Sequence, residues 1–199
     1  VIPMDGDGED KPEELSLLFS KAKKNLDRVI VATRFKRSES SLFKFFYTIH
    51  IYLTFIFTGR LIKFGNYTFL PKSFVKEAVK DPDLWNSFVG TIEKLAKKKA
   101  NILSTRGNRY FGSSKMNFIN LVKHSLSMMS IFKKTLLIRS ILFLIAYLFL
   151  IIGKISVITL IPVIGIIIMM ISVIILSKRK NMSEFENSLE NISNIDNIK

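Results

Sequence analysis

Residues 1–33 read VIPMDGDGEDKPEELSLLFSKAKKNLDRVIVAT, and their order of patterns decides the fold class. A short apolar opening, Val1 to Met4, suggests a strand that breaks at an acidic, glycine-bearing turn. A helix then follows. Asp10 is placed to cap it, with Pro12 in its first turn and Glu13 three residues on, and Leu15, Leu18, Ala22 and Leu26 form one apolar stripe. The β-branched run at 27–33 predicts a second strand, ending at Arg34. Farther along, 64–70 and 100–104 are weaker strand candidates. Residues 83–97 predict one helix with Leu84, Phe88, Ile92 and Leu95 on a single face. Strand, helix, strand, then helices and short strands is the order of an α/β domain, here resembling its second half.

The acidic turn lies where open α/β sheets bind ligands, at the carboxyl end of a strand. Asp5-Gly6-Asp7 presents two carboxylates one residue apart, and hard divalent cations, Mg²⁺ or Mn²⁺, take such oxygen ligands and complete their shell with water and substrate phosphates. A calcium loop of the EF-hand type fails on spacing, because its sixth position is Asp10 instead of Gly and its twelfth is Ser16 instead of Glu. A solvated turn is the plain alternative for two such acids.

Composition separates the chain into regions. Residues 1–40 balance 8 Lys+Arg against 8 Asp+Glu, whereas 41–135 carry 16 against 4. With no Cys, thiolate nucleophiles, thiolate metal sites and disulfides are excluded, and His50 and His124 are too far apart in sequence for a His-pair metal motif. Val1 to Asp5 lacks the basic lead of a signal peptide.

Residues 136–177 contain only two charges, Arg139 and Lys154. As a single helix these 42 residues would run roughly 63 Å, about twice the hydrocarbon thickness of a bilayer. Gly153-Lys154 divides the run, so two antiparallel membrane spans are expected, with Lys154 at the turn and Arg139 snorkelling from a helix end. Lys133 and Lys134 before the run, and Lys178, Arg179 and Lys180 after it, put both ends in the cytoplasm. Upstream, 116–135 spaces Asn117, Asn120, His124 and Ser127 among apolar residues, the pattern of a helix lying on a membrane surface. Residues 42–58, with Lys44 and His50 among aromatics, read as an interfacial or core-packed segment. The organisation expected is a partial catalytic domain over 1–115, an interfacial helix over 116–135, two spans over 136–177, and a polar cytoplasmic tail over 178–199.

Between the last strand and the surface helix, 104–115 reads STRGNRYFGSSK. Arg106, Arg109 and Lys115, with serines and glycines between them, make a cationic loop suited to a phosphate or diphosphate, or equally to anionic lipid.

Taken in order, these elements resemble the membrane-anchored polyprenyl-phosphate glycosyltransferases of family 2, the group that includes dolichyl-phosphate mannose synthase. The likeness spans roughly residues 1–177. Its parts are Asp5-Gly6-Asp7 running into Asp10-Lys11-Pro12-Glu13, the strand end Val31-Ala32-Thr33-Arg34, and Arg109-Tyr110-Phe111-Gly112-Ser113-Ser114-Lys115. The resemblance implies a Rossmann-like GT-A domain in which Asp5 and Asp7 hold Mg²⁺ or Mn²⁺ on the diphosphate of a nucleotide sugar. It further implies that Arg34 faces that site, and that Arg106, Arg109, Ser114 and Lys115 bind phosphate of a polyprenyl-phosphate acceptor or of the leaving group. Asp7, Arg34 and Arg109 are the expected catalytic residues, and inverting sugar transfer is the expected reaction. The chain departs from the family at Gly65-Asn66-Tyr67, where an acidic residue and an Arg are usual. It also reads as a carboxyl-terminal fragment, lacking the half that binds the nucleotide base and therefore not expected to act alone.

The competing expectation is a non-catalytic basic membrane protein that binds anionic lipid or a partner protein. Nucleic acid is not expected, because no helix carries a basic stripe beyond Lys97-Lys98-Lys99. A homo-oligomer stays open.

Overall fold

The β-branched run forms the central strand of a three-stranded sheet in the computed structural model, which describes residues 1–36, 41–105, 107–111 and 118–179, together with Ser183 and Asn187. For 34–36 and 41–44 the description is of the backbone. Strand β1 (Val29–Lys36) lies between β2 (Phe64–Phe69), antiparallel with Ile30 opposite Phe69, and β3 (Lys99–Thr105), parallel with Val29 opposite Lys99. Alternate residues of β1 serve opposite faces. Ile30 and Ala32 pack with Leu18 and Ala22 of α1 (Leu15–Lys23) and with Tyr67. Val29 and Val31 pack with Leu70 and with Ile92 of α5 (Phe88–Leu95). Burial on both faces explains why this strand is continuously apolar where a half-exposed strand would alternate.

Three local expectations change. Asp10 caps no helix: a 3-10 turn, Pro12–Glu14, precedes α1, and the Asp10 carboxylate folds back to accept the Asp5 N–H at 3.1 Å. Leu26 lies beyond the helix end, where Asn25 turns the chain by donating to the Lys21 carbonyl, and its side chain is 79% exposed. The single helix expected over 83–97 is two, α4 (Asp83–Asn86) and α5, because Ser87 is extended and its Oγ accepts the Gly90 N–H at 3.2 Å as an N-cap. Val1 to Met4 forms no strand. Val1 exchanges hydrogen bonds with Leu70 at 2.8 and 2.9 Å, just past the end of β2, and Ile2 packs against the cluster of Ile30, Ala32 and Tyr67.

The remaining helices are α2 (Ser41–Thr58), α3 (Lys72–Ala78), α6 (Phe118–Ser130), α7 (Lys133–Leu150) and α8 (Val157–Ser177), giving eight α-helices among the described residues. Helices α6 and α7 pack on α8, and α2 packs on α7. Phe57, Met129, Leu136 and Val173 make the core of this second part. Gly153, at φ +78°, turns the chain between α7 and α8, and Ser156 with Thr159 closes a capping box at the start of α8. Helix α8, of mean hydropathy 2.9, is long and apolar enough to cross a membrane, alone among the described residues. Helix α7 is 18 residues long but carries Lys133, Lys134 and Arg139.

Arg139 does not snorkel. Its guanidinium donates to the carbonyls of Ile56 at 2.9 Å and Phe55 at 3.4 Å, beside Gly59 at φ +73°. These carbonyls end α2, where Phe55 also accepts the Gly59 N–H at 2.8 Å, and a cation there adds a donor and complements the helix dipole. The two parts of the chain are joined at Asn86, whose amide donates to Ser130 Oγ at 2.7 Å and to the Leu176 carbonyl at 3.2 Å.

Candidate functional site

The acidic turn and the start of the cationic loop, about a hundred residues apart in sequence, lie against each other. Two backbone bonds hold them: Gly107 N–H to the Glu9 carbonyl at 2.8 Å, and Tyr110 N–H to the Asp7 carbonyl at 2.9 Å. Glycine is required on both sides. A Cβ on Gly107 would stand 2.2 Å from the Gly8 carbonyl oxygen, and Gly8 itself has φ +89° with the Tyr110 ring over it. Glu14 reinforces the same seam from the start of α1. Its carboxylate accepts Ser104 Oγ at 2.6 Å and both the N–H and Oγ1 of Thr105 at 2.9 Å, fixing the strand end from which the cationic loop departs.

Across this seam Arg109 meets the acids. Its Nη2 is 3.0 Å from Asp7 Oδ2, and its Nε donates to Glu9 Oε1 at 2.7 Å. Asp7 Oδ1 accepts the Glu9 N–H at 3.0 Å, which fixes the carboxylate in the turn. Asn66 of β2 completes the rim, its amide 3.4 Å from Asp5 Oδ1. The hydrogen bond to Glu9, opposed by desolvation and aided by the charges of Glu9, Asp7 and Asp5, raises the Arg109 pKa above its ordinary value. At Glu14 desolvation is the largest single influence and raises the pKa, but the Ser104 and Thr105 hydrogen bonds and the charge of Lys11 together bring it below the usual carboxylate value. Burial, with Glu14, Asp10 and Glu13 nearby, pushes the Tyr67 hydroxyl up to about 12, so it stays a donor to the Lys11 carbonyl.

Asp7 and Arg109 are therefore in contact, with Asp5 in the same turn. Arg34 lies opposite Ser104 in the β1–β3 register, at the carboxyl end of the strand, and its side chain is outside the described residues. Arg106, Ser114 and Lys115 are also outside them. Among the described residues no group of three or more His, Asp or Glu side chains is arranged as a metal site. Asp5 and Asp7 would be the residues to hold Mg²⁺ or Mn²⁺, which usually takes one or two carboxylates when substrate phosphates provide the rest. Glu9, Glu14 and Gly107 have roles that the sequence alone does not reveal.

Compared with known proteins, the chain matches no protein-family model and no curated protein.

Proposed function

We infer that this protein belongs to an enzyme moving a sugar from a nucleotide sugar to a polyprenyl phosphate at a membrane surface. The observation that carries the reading is the ion pair between Arg109 and Asp7, which joins an Asp-Gly-Asp turn to a cationic loop in one site. In this reading the sheet and its helices are the second half of a GT-A domain, α6 lies at the bilayer surface, and α7 and α8 form a transmembrane hairpin with both ends cytoplasmic.

Joining two anions is the difficult part of such a reaction, and the site is built from opposite charges. A lipid phosphate is already ionised at neutral pH, so its oxygen needs no general base. That oxygen bonds to the anomeric carbon, while the bond from this carbon to the donor diphosphate breaks and its electron pair leaves with the diphosphate. A divalent cation held by Asp5 and Asp7 would supply charge neutralisation of the diphosphate. Arg109 is placed to turn from Asp7 toward a phosphate, with Glu9 and the fixed Gly107 and Tyr110 backbone keeping it within reach. Between α2, α6 and α8 an apolar groove of about 640 Å³, with Leu53, Leu121, Val122 and Ile166 among its lining, offers room for hydrocarbon.

The test is transfer of labelled sugar from a panel of nucleotide sugars into polyprenyl phosphate by membranes carrying the protein. Transfer is expected to stop on chelation of divalent cations and to fall about 10²–10³-fold in Asp7→Asn, the loss typical of one electrostatic group at a reaction centre. Asp7→Asn membranes that retain full transfer would overturn the assignment of Asp7.

A further inference from the structure

Five cations collect at one end of the helical part. Lys133 and Lys134 begin α7, and the Lys133 Nζ reaches Ser177 Oγ, at the end of α8, at 3.3 Å. Lys178 and Arg179 follow directly, and the Arg60 guanidinium lies 5.6 Å from the centre of the Phe132 ring, one residue before Lys133. The start of α7, the end of α8 and the chain leaving α2 thus meet at one level. All five side chains are exposed apart from these contacts.

Among the described residues no acid pairs with them. From Lys94 to Ser183 the sequence has no Asp or Glu. Asp81 and Asp83, in the α/β part, are held by Lys94 at 2.7 and 2.6 Å. Among the described residues none of the five forms an ion pair, whereas Arg139, one turn and a half into α7, is taken up by the carbonyls that end α2. Directly beyond this level lies an apolar surface: Ile158, Ile161, Ile164, Ile168, Ile171 and Ile175 form an exposed stripe along α8. A stripe of that length, ending at a ring of unpaired cations, has the order of hydrocarbon and headgroup in a bilayer leaflet.

We propose that Arg60, Lys133, Lys134, Lys178 and Arg179 form a headgroup site selective for anionic lipid, which sets the depth and tilt of the helical part in its membrane. The partner is the lipid phosphate of an anionic bilayer. A zwitterionic headgroup brings its own cation to the cluster and gains little, whereas an anionic one neutralises charges that have no ion-pair partner among the described residues. The inference is independent of the sugar-transfer reading, since it involves no residue of the acidic turn or cationic loop.

The full chain reconstituted in vesicles is compared by electron spin resonance with spin-labelled phosphatidylglycerol and spin-labelled phosphatidylcholine. The motionally restricted population is expected to favour phosphatidylglycerol by about 3–10-fold at low salt, and less in 1 M NaCl, where screening shortens to about 3 Å. The preference should fall to about unity in K133Q/K134Q/K178Q/R179Q and persist in K133R/K134R/K178R. Removing three charges elsewhere, in K72Q/K76Q/K80Q, should leave it unchanged. Equal association of the two lipids with the unaltered protein overturns the proposal whatever the folding of the variants. So does a preference that survives the four-site Gln variant, or one that falls equally in K72Q/K76Q/K80Q. Loss of the preference in inorganic phosphate at constant ionic strength would assign the cations to a free phosphate and overturn it too.

Discussion

In the α/β part, carboxylates meet cations and hydroxyls: Asp81 and Asp83 share Lys94, Glu93 pairs with Lys99, Asp7 and Glu9 share Arg109, and Glu14 takes Ser104 and Thr105. In the helical part several polar side chains turn instead to backbone carbonyls. Arg139 serves Phe55 and Ile56, Tyr147 serves Thr159, Ser125 serves Leu121, and Ser177 serves Ile174. The difference is the one expected if the helical part, whose α8 is long and apolar enough to cross a membrane, is built for a less aqueous setting. Water tolerates a partly exposed charge pair, whereas a polar group facing hydrocarbon must find an internal acceptor, and helix carbonyls are the nearest ones available.

The strongest way to break this comparison is through the α/β core. Leu18 is fully buried between α1 and the sheet, and Leu18→Ala is expected to destabilise that part by about 2–5 kcal/mol. Helices α7 and α8 should keep their hydrogen-exchange protection while β1 loses it; joint loss would mean that the two parts fold as one unit.

A smaller effect is expected at the seam. Gly107→Ala forces a Cβ against the Gly8 carbonyl and should cost about 1–3 kcal/mol, as overpacking does. The readout is faster exchange of the Tyr110 amide, with the sheet unchanged. In the helical part, Arg139→Leu leaves the Phe55 and Ile56 carbonyls without this donor and should cost about 1 kcal/mol. Exchange at the end of α2 should quicken, while α/β melting stays where it was.

The smallest expected effect is that of pH at Glu14. Its folded pKa is lowered, so its contribution is fully present above the unfolded value, near 4.5, and is lost as pH falls through the lower folded value. The stability difference between the unaltered chain and Glu14→Gln should therefore be constant near neutrality and shrink below about pH 4.5. A difference that grew with acid would contradict the hydrogen bonds assigned to Glu14.

How much of this was legible in the sequence depended on the range of the signal. The β-branched run at 29–33 and the apolar run at 157–177 identify their elements without help, because each is apolar throughout, the first buried on both faces and the second long enough to cross a membrane. Ser87 is a good N-cap residue, yet the apolar spacing through Leu84, Phe88 and Ile92 continues across it, and periodicity hides the break. Asp10 lost its capping role to a contact with Asp5 that arises only once the turn closes. At the site, Asp5, Asp7 and Arg109 stood out by charge and spacing. Glu14 and Gly107 did not, because their partners are 91 and about 100 residues away and nothing in the local sequence records them.

The central claim is that the acidic turn and the cationic loop act as one site, and a double-mutant cycle on sugar transfer tests it most directly. Asp7→Asn and Arg109→Gln should each remove most of the transfer, and the double variant should lose little beyond the worse single, as groups acting as a unit do. Losses that multiply would show two independent contributions and contradict the site described by the 3.0 Å contact between Arg109 and Asp7.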